Sequence, residues 1–319
     1  MNVHNRSRYP AETMLTIRRF LSLLLLAAVA ATATACGSAT NGSAAAGGAG
    51  AGDPRALLAD AFANAKALKS GVVSMRAQLS GGGQKLSATL DEKFSGAGTG
   101  QPPQMQLSGS FDAGGQSGSG GVVWDGRHGF VTLDGSSYRL PASVVKSFTQ
   151  GTQGGAPATL GIDPSTWLKN PRLDGSAQVD GVAVDQVSGD VDTAKLIGDV
   201  QSLMAKGSAL GGASAGAGMP QLSAGDLQML TGAVKQLHAT FSIGQDDHAL
   251  RKARLDLRIA PAGEALSGSV ELTISGQNVP QTITAPTGAK PYGELKQQLG
   301  GLLGMLGSAS AAEPYAKIS

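Results

Sequence analysis

Residues 122–140 read VVWDGRHGFVTLDGSSYRL. Two Asp-Gly pairs, Asp125-Gly126 and Asp134-Gly135, separate three short apolar runs. Asp-Gly between apolar runs is a strong hairpin cue, because the tight turns that suit twisted strands need positive φ at their central residues. The stretch therefore predicts three antiparallel strands in a meander. Period-two alternation spreads outward from it. Upstream, Val73, Met75, Ala77 and Leu79 alternate with polar residues. Gly81-Gly82-Gly83 turns the chain, and Leu86, Ala88 and Leu90 resume the alternation. Met105, Leu107 and Phe111 suggest a further pair of strands. Downstream, strands are predicted over 177–189, 237–244, 249–259 and 266–275. Around 237–244, Leu237, Ala239, Phe241 and Ile243 form one face and Gln236, His238, Thr240 and Ser242 the other. One apolar and one wet face fits an antiparallel sheet covered on a single side.

Helical spacing supplies the cover. Asp53-Pro54 predicts a helix start, with Asp as N-cap and Pro in the first turn. Leu57, Leu58, Ala61, Phe62, Ala65 and Leu68 follow on one stripe, and Gly71 is the predicted stop. Asp163-Pro164 repeats the signal before a short helix through Trp167 and Leu168. Residues 192–206 place Leu196, Val200 and Leu203 on one side. Residues 223–234 and 292–306 are also predicted helical, the latter with Leu295, Leu299, Leu302 and Leu306. A one-sided sheet with helices against its apolar face is an α+β arrangement.

The N-terminus carries a different signal. Arg18 and Arg19 precede the uncharged run LSLLLLAAVA over 21–30, and the small residues ATATA over 31–35 lead to Cys36. These are the charged, apolar and cleavage regions of a secretory signal peptide. The run is shorter than the roughly 20 residues a spanning helix needs. The first 13 residues do not fit the pattern, so Met14 is read as the start. Cys36 is the single cysteine of the chain, which excludes an internal disulfide. The segment Ala33-Thr34-Ala35-Cys36-Gly37 resembles a bacterial lipobox, with alanine where leucine is usual. That resemblance implies a diacylglycerol on the Cys36 thiol and a location on the extracytoplasmic face of the cell membrane. The alternative is a plain secreted protein with an incidental cysteine at the cleavage site. Two acyl chains suffice for stable anchoring.

Composition narrows the function classes. The chain has 319 residues, with 25 Lys and Arg against 23 Asp and Glu. Arg6, Arg8, Arg18, Arg19 and Glu12 fall before Cys36, so the remainder is near neutral. A near-neutral chain with 4% aromatic residues has neither the basic face nor the stacking platforms of a nucleic-acid binder. Residues 37–52 (GSATNGSAAAGGAGAG) read as a flexible tether. The organisation is thus a signal segment over 1–35, a lipidated cysteine with tether over 36–52, one domain over 53–307 and a tail over 308–319.

Catalytic signatures are weak. Gly212-Ala213-Ser214-Ala215-Gly216 matches G-x-S-x-G, but a nucleophile elbow needs a strand before it and a helix after it. Here it lies inside the loop-like run GGASAGAG and reads as linker. His128, His238 and His248 are far apart in sequence and lack zinc-ligand spacing. The glycine runs lack the Gly-Lys-Ser/Thr of a phosphate loop. No catalytic residue, metal site or cofactor is expected, and the chain is read as a non-enzyme.

Four segments carry a resemblance: VVWDGRHGFVTLDGSSYRLP over 122–141, LGIDPSTWLKNPRLDG over 160–175, VDGVAVDQVSGDVDTAKLIGDV over 179–200 and HALRKARLDLRI over 248–259. In that order they resemble the LolA/LppX-like lipoprotein superfamily, including the LppX/LprG-type actinobacterial lipoproteins. The resemblance spans 53–307 and departs at the glycine-rich stretch 207–218. It implies a curved antiparallel half-barrel whose concave face is closed by helices. It also implies a carrier of lipids or lipidated molecules, with related domains acting as envelope-stress sensors. A carrier would line its cavity with Met75, Leu79, Met105, Leu107, Trp167, Leu196 and Val200. Trp124 and Trp167 also read as ordinary core or helix anchors. The competing function is an envelope sensor or protein-interaction module, whose interior would be a packed core. A lipid-filled cavity and a packed core demand the same residue types, so the sequence leaves both open.

Overall fold

The computed structural model describes residues 53–96, 103–145, 164–199, 232–260 and 265–297. Helix α1 spans Pro54–Lys66, capped by Asp53, whose side chain accepts from the Arg55 backbone N–H. Strands β1 (Ser70–Gly81), β2 (Gln84–Ser95), β3 (Gln104–Ala113), β4 (Gln116–Trp124), β5 (Gly129–Leu133) and β6 (Ser136–Arg139) follow as hairpins. A 3-10 turn at Pro164–Thr166 then leads into β7 (Leu168–Val179) and β8 (Val182–Val191). The remaining strands are β9 (Val234–Gly244), β10 (Leu250–Ile259), β11 (Leu266–Ser275) and the two-residue β12 (Lys290–Pro291).

All twelve strands join one sheet in the order β12-β6-β5-β4-β3-β2-β1-β11-β10-β9-β8-β7. Every pairing is antiparallel except β12 with β6. The two ends of the order do not pair, so the sheet is an open half-barrel rather than a closed barrel. The two runs of hairpins meet where β1 pairs with β11, with Val72 opposite Ser275 and Ser80 opposite Ser267.

The alternation read from the sequence sets the inner face. Val73, Met75, Ala77 and Leu79 are all buried, as are Leu237, Ala239, Phe241 and Ile243. α1 lies on that face, packed on β7, β9, β10 and the 3-10 turn. It inserts Leu58 and Ala61, both fully buried, and sets Phe62 edge-on to Phe241 at 5.4 Å. A buried leucine contributes roughly 1.5–3 kcal/mol, and such an aromatic pair about 0.5–1.5 kcal/mol more. The outer face carries charge: Lys252 pairs with Glu271 at 2.8 Å and Arg254 with Asp256 at 2.8 Å. After β11 the chain reaches the outer side of the meander, where Ile283 packs with Val123 and Phe130.

Three local expectations need correction. α1 ends at Lys66, where the Ala67 N–H turns back to Ala65 and Asn64 oxygens, so Gly71 is not its stop. Gly71 lies in β1, where a β-carbon would meet the Phe94 ring at 3.4 Å. The region 177–189 is two strands, not one: Asp180 and Gly181, with φ of 50° and 80°, make the hairpin between β7 and β8. The helix through Trp167 and Leu168 is only the 3-10 turn, and Leu168 already opens β7. β7 then absorbs Pro171, which is tolerated because β7 is an edge strand with register shifts on either side of Arg172 and Leu173. The parallel strand β12 had no signal in the sequence.

Residues 193–199 are helical, with the Asp192 carboxylate accepting from the Lys195 N–H at 3.0 Å. The helix expected over 223–234 is represented by 232–233, and β9 takes over at Val234. The C-terminal helix is represented by 292–297. The signal segment, Cys36, the tether, Val200 and the loop 207–219 lie outside the described residues.

Candidate ligand-binding face

Residues directly opposite each other across a ladder share a face, so the register lays out the inner wall in rows. One row runs Ile274, Val73, Glu92, Leu107, Val122, Val131, Tyr138 from β11 to β6. The next runs Leu272, Met75, Leu90, Gly109, Gly120, Leu133. On the other side of the first lie Phe94, Met105, Trp124 and Gly129. The wall is therefore apolar over β1–β5 except at Glu92, and α1 packs toward the other end of the sheet.

Four of the residues singled out from sequence come together on this wall. Met75 is 1% exposed, and Leu79 is buried in the main core beside Leu266. Met105 and Leu107 are half-buried, and through β2 they stand across from Phe94 and Glu92. Leu79 is already packed: a β-carbon on Gly268 would come within 2.9 Å of its Cδ1. Trp167 and Leu196 sit elsewhere, against the core near the start of β7. The Trp167 Nε1–H donates to Asp199 Oδ2 at 2.7 Å, tying the 3-10 turn to the helical residues 193–199. Lys195 approaches the same carboxylate at 3.8 Å.

Sequence reading missed Glu92, Phe94 and Tyr138. Phe94 is 1% exposed and Tyr138 0%. The period-two pattern through Leu86, Ala88 and Leu90 would have reached Phe94, but a glutamate at the intervening inner position interrupts it. Tyr138 lies inside the quoted meander, and its ring also receives the Lys290 ammonium at 5.9 Å.

The wall is smooth at its middle. Gly109 and Gly120 are paired neighbours on β3 and β4. A β-carbon on Gly120 would meet only the Thr132 carbonyl oxygen, at 3.2 Å. One on Gly109 would meet the Thr89 oxygen at 3.1 Å and Leu90 Cδ1 at 3.3 Å. Further along, Phe111 is 51% exposed, and its ring lies over Gly118. The same strands border an open concavity of about 400 Å³, whose lining combines Ser87, Thr89, Ser110, Asp112, Ser117, Ser119 and Asp134 with Ala88, Phe111 and Gly118.

The polar groups around the wall serve structure. Burial raises the Asp125 carboxyl, but hydrogen bonds from the His128 and Arg127 backbone N–H groups outweigh it and hold the group below its ordinary value. That carboxylate shapes the β4–β5 turn, with its Oδ1 2.7 Å from the His128 nitrogen. His238 pairs with Asp190 at 3.1 Å and His248 with Asp60 at 3.4 Å. Among the described residues no three His, Cys, Asp or Glu side chains converge on a point. No helix there is long and apolar enough to cross a membrane.

No family model matches the sequence, and no curated protein matches it. Among solved structures, the chain is similar to LprF from Mycobacterium bovis at 17% identity, covering 74% of this chain and 97% of that one, with a TM-score of 0.41. It is similar to the lipoprotein LppX from Mycobacterium tuberculosis at 17% identity, covering 72% and 98%, with a TM-score of 0.38. It is also similar to a chain of the MucA/MucB complex from Pseudomonas aeruginosa, at 12% identity over 73% and 59%, with a TM-score of 0.24.

Proposed function

We propose that this protein binds lipids or lipidated molecules in the bacterial cell envelope, held to the membrane through an acylated Cys36. The observation that carries the reading is the largely apolar wall of β1–β5, broken by the buried Glu92 and bared to backbone at Gly109 and Gly120. An alkyl chain is a good occupant for such a surface. It needs no hydrogen bonds, and water is poorly held where few polar groups are available. Met75 and Met105 add adaptable side chains that conform to chains of differing shape. No step of this reading needs a catalytic group, a metal or a cofactor.

The test is mass spectrometry of organic extracts from the purified protein, paired with Leu107→Trp. Leu107 is half-buried on the wall, so the larger ring occupies ligand space. Leu79 is a poorer site, because it is already packed against Gly268 and a tryptophan there overfills the core. Extracts should contain acyl lipids, and Leu107→Trp should lower the amount recovered while the protein still melts cooperatively. Extracts free of lipid from both proteins, with no uptake of added lipid, would replace this reading with the partner-binding one.

A further inference from the structure

We propose that the concavity over β2–β4 is a saccharide-binding site that takes uncharged sugars. It is separate from the apolar wall, and nothing in this inference depends on the lipid-binding reading. Two rows of the register define it. Thr89, Ser110 and Ser119 stand opposite one another on β2, β3 and β4, and so do Ser87, Asp112 and Ser117. Thr89 also lies opposite Arg76, and Arg76 opposite Glu271, so both rows belong to the charged outer face of the sheet. The row between them is Ala88, Phe111 and Gly118. By alternation Ala88 and Phe111 turn their side chains to the wall, so this row shows backbone to the concavity. Asp134, in the β5–β6 turn, borders it on one side, its Oδ1 accepting from the Ser119 N–H at 3.1 Å.

The site has room and unused polar groups. Its volume of about 400 Å³ falls within the roughly 300–1,000 Å³ of small-molecule sites. Short side chains create the depression. Further round the same face, the pairs Lys252–Glu271 and Arg254–Asp256 cover β10 and β11 with long ones. Ser87, Ser110, Asp112, Ser117 and Ser119 are all exposed. The Thr89 and Ser110 hydroxyl groups bond each other at 2.8 Å. Among the described residues, the Asp112 carboxylate and the Ser87 and Ser117 hydroxyl groups have no hydrogen-bond partner. Asp112 stands between those two serines across the ladder, so an acceptor with donors on either side faces open space.

The lining selects the ligand class. A hydroxyl group both donates and accepts, and an ionised carboxylate accepts, so the set complements a ligand whose polar groups are themselves hydroxyls. The lining holds two carboxylates and no Lys, Arg or His, which disfavours an anion. A metal ion lacks its ligands, since among the described residues no three His, Cys, Asp or Glu side chains converge. An extended peptide adds to a sheet at an edge, but β2, β3 and β4 are each paired on both sides. An uncharged saccharide meets every condition. A sugar ring lying across strands spaced roughly 4.8 Å apart reaches Asp112 and hydroxyl groups of both rows at once.

The test is isothermal titration of the full chain with maltotriose, cellotriose and mannotriose, with trigalacturonate and spermidine as charged probes. At least one neutral trisaccharide should bind with a Kd on the order of 1 mM or tighter, and trigalacturonate about 10-fold or more weakly than that sugar. Asp112→Ala removes the free acceptor. Ser117→Lys sets an ammonium opposite that carboxylate and fills the depression. Both positions are exposed, so both variants should melt as the wild type does while saccharide affinity falls about 10-fold or more. Absence of binding by all three neutral trisaccharides overturns the proposal. So does spermidine binding tighter than every sugar, which is the behaviour of a plain acidic patch. Saccharide affinity unchanged in both folded variants also overturns it, because the sugar then binds elsewhere. Lipid in organic extracts reports on the wall and not on this concavity, so either reading can fail while the other stands.

Discussion

Gly109 on β3 stands directly opposite Gly120 on β4, so two adjacent strands present bare backbone to the apolar face at the same level. Neither carries a positive φ, so no turn or left-handed conformation requires glycine there. What the pair supplies is space, bounded on β2 by Leu90 and on β5 by Leu133.

The first prediction follows from that space. Gly120→Val should fill the strip while suiting a strand, since β-branched residues fit a pleated sheet. The contact to the Thr132 oxygen asks the backbone to yield slightly, so stability should move by no more than about 1 kcal/mol. Lipid uptake should fall about 10-fold. Uptake equal to wild type in a normally folded Gly120→Val protein would remove this strip from the binding site.

Gly81 should behave in the opposite way. Its φ is 156°, and a β-carbon there would meet Leu266 Cδ2 at 2.3 Å, the Ala265 oxygen at 2.7 Å and Leu266 Cα at 2.9 Å. Two of those three are backbone, which cannot swing aside. Gly81→Ala should therefore destabilise by about 2–4 kcal/mol, within the range of overpacking plus backbone strain. Urea unfolding of the two proteins measures this, and a midpoint unchanged from wild type contradicts the packing of β1 on β11.

Asp125 gives a pH dependence with a definite sign. Its folded carboxyl lies below the ordinary value, because the His128 and Arg127 N–H bonds outweigh the upward push of burial. A depressed carboxyl contributes stability that is present above the unfolded value, about 3.9, and is lost as pH falls through the folded one. Asp125→Ala should cost about 1 kcal/mol at neutral pH, the scale of a lost turn hydrogen bond. The difference between the two proteins should shrink as pH drops below about 4. A gap that stays constant down to acid would show that the carboxylate does not hold this turn.

Cys36→Ala should abolish acyl labelling and move the protein from the membrane fraction to the soluble one. Chains beginning at Gly37 and at Asp53 should then melt together, because a Gly/Ala tether contributes no packed surface. Retention of the alanine variant on membranes, with no label on the wild type, would exclude the lipid anchor. A large loss of stability on deleting 37–52 would show that the segment packs on the domain.

Much of the fold was legible locally. Asp53-Pro54 placed the start of α1, and Asp134-Gly135, with φ of 45° and 80°, placed the β5–β6 turn. The misreadings also have local causes. Asp180-Gly181 is as good a turn signal as Asp134-Gly135, but valines on both sides made 177–189 look like one strand. β7 was lost because Pro171, Asp174 and Gly175 argue against a strand, and only an edge position beside β8 tolerates them. Of the candidate wall residues, Met75, Leu79, Met105 and Leu107 share the inner face because a period of two is a property of any strand.

The sequence by itself determined the class of structure: hairpin turns at Asp-Gly pairs, strands with one apolar face, and a capped helix to lie on it. These follow from dihedral preferences and side-chain alternation, which act within a few residues. Only the tertiary structure decided that β1 pairs with β11, bringing Val72 opposite Ser275 across the length of the chain. It also decided that α1 packs on β7, β9 and β10, and that Glu92 points into the wall. Those outcomes depend on which distant segments close the sheet and where the buried area is greatest. Local pattern carries no information about either, and for Glu92 two local signals conflict: its charge predicts an outward residue, while the period of two from Leu86 to Phe94 places it inward.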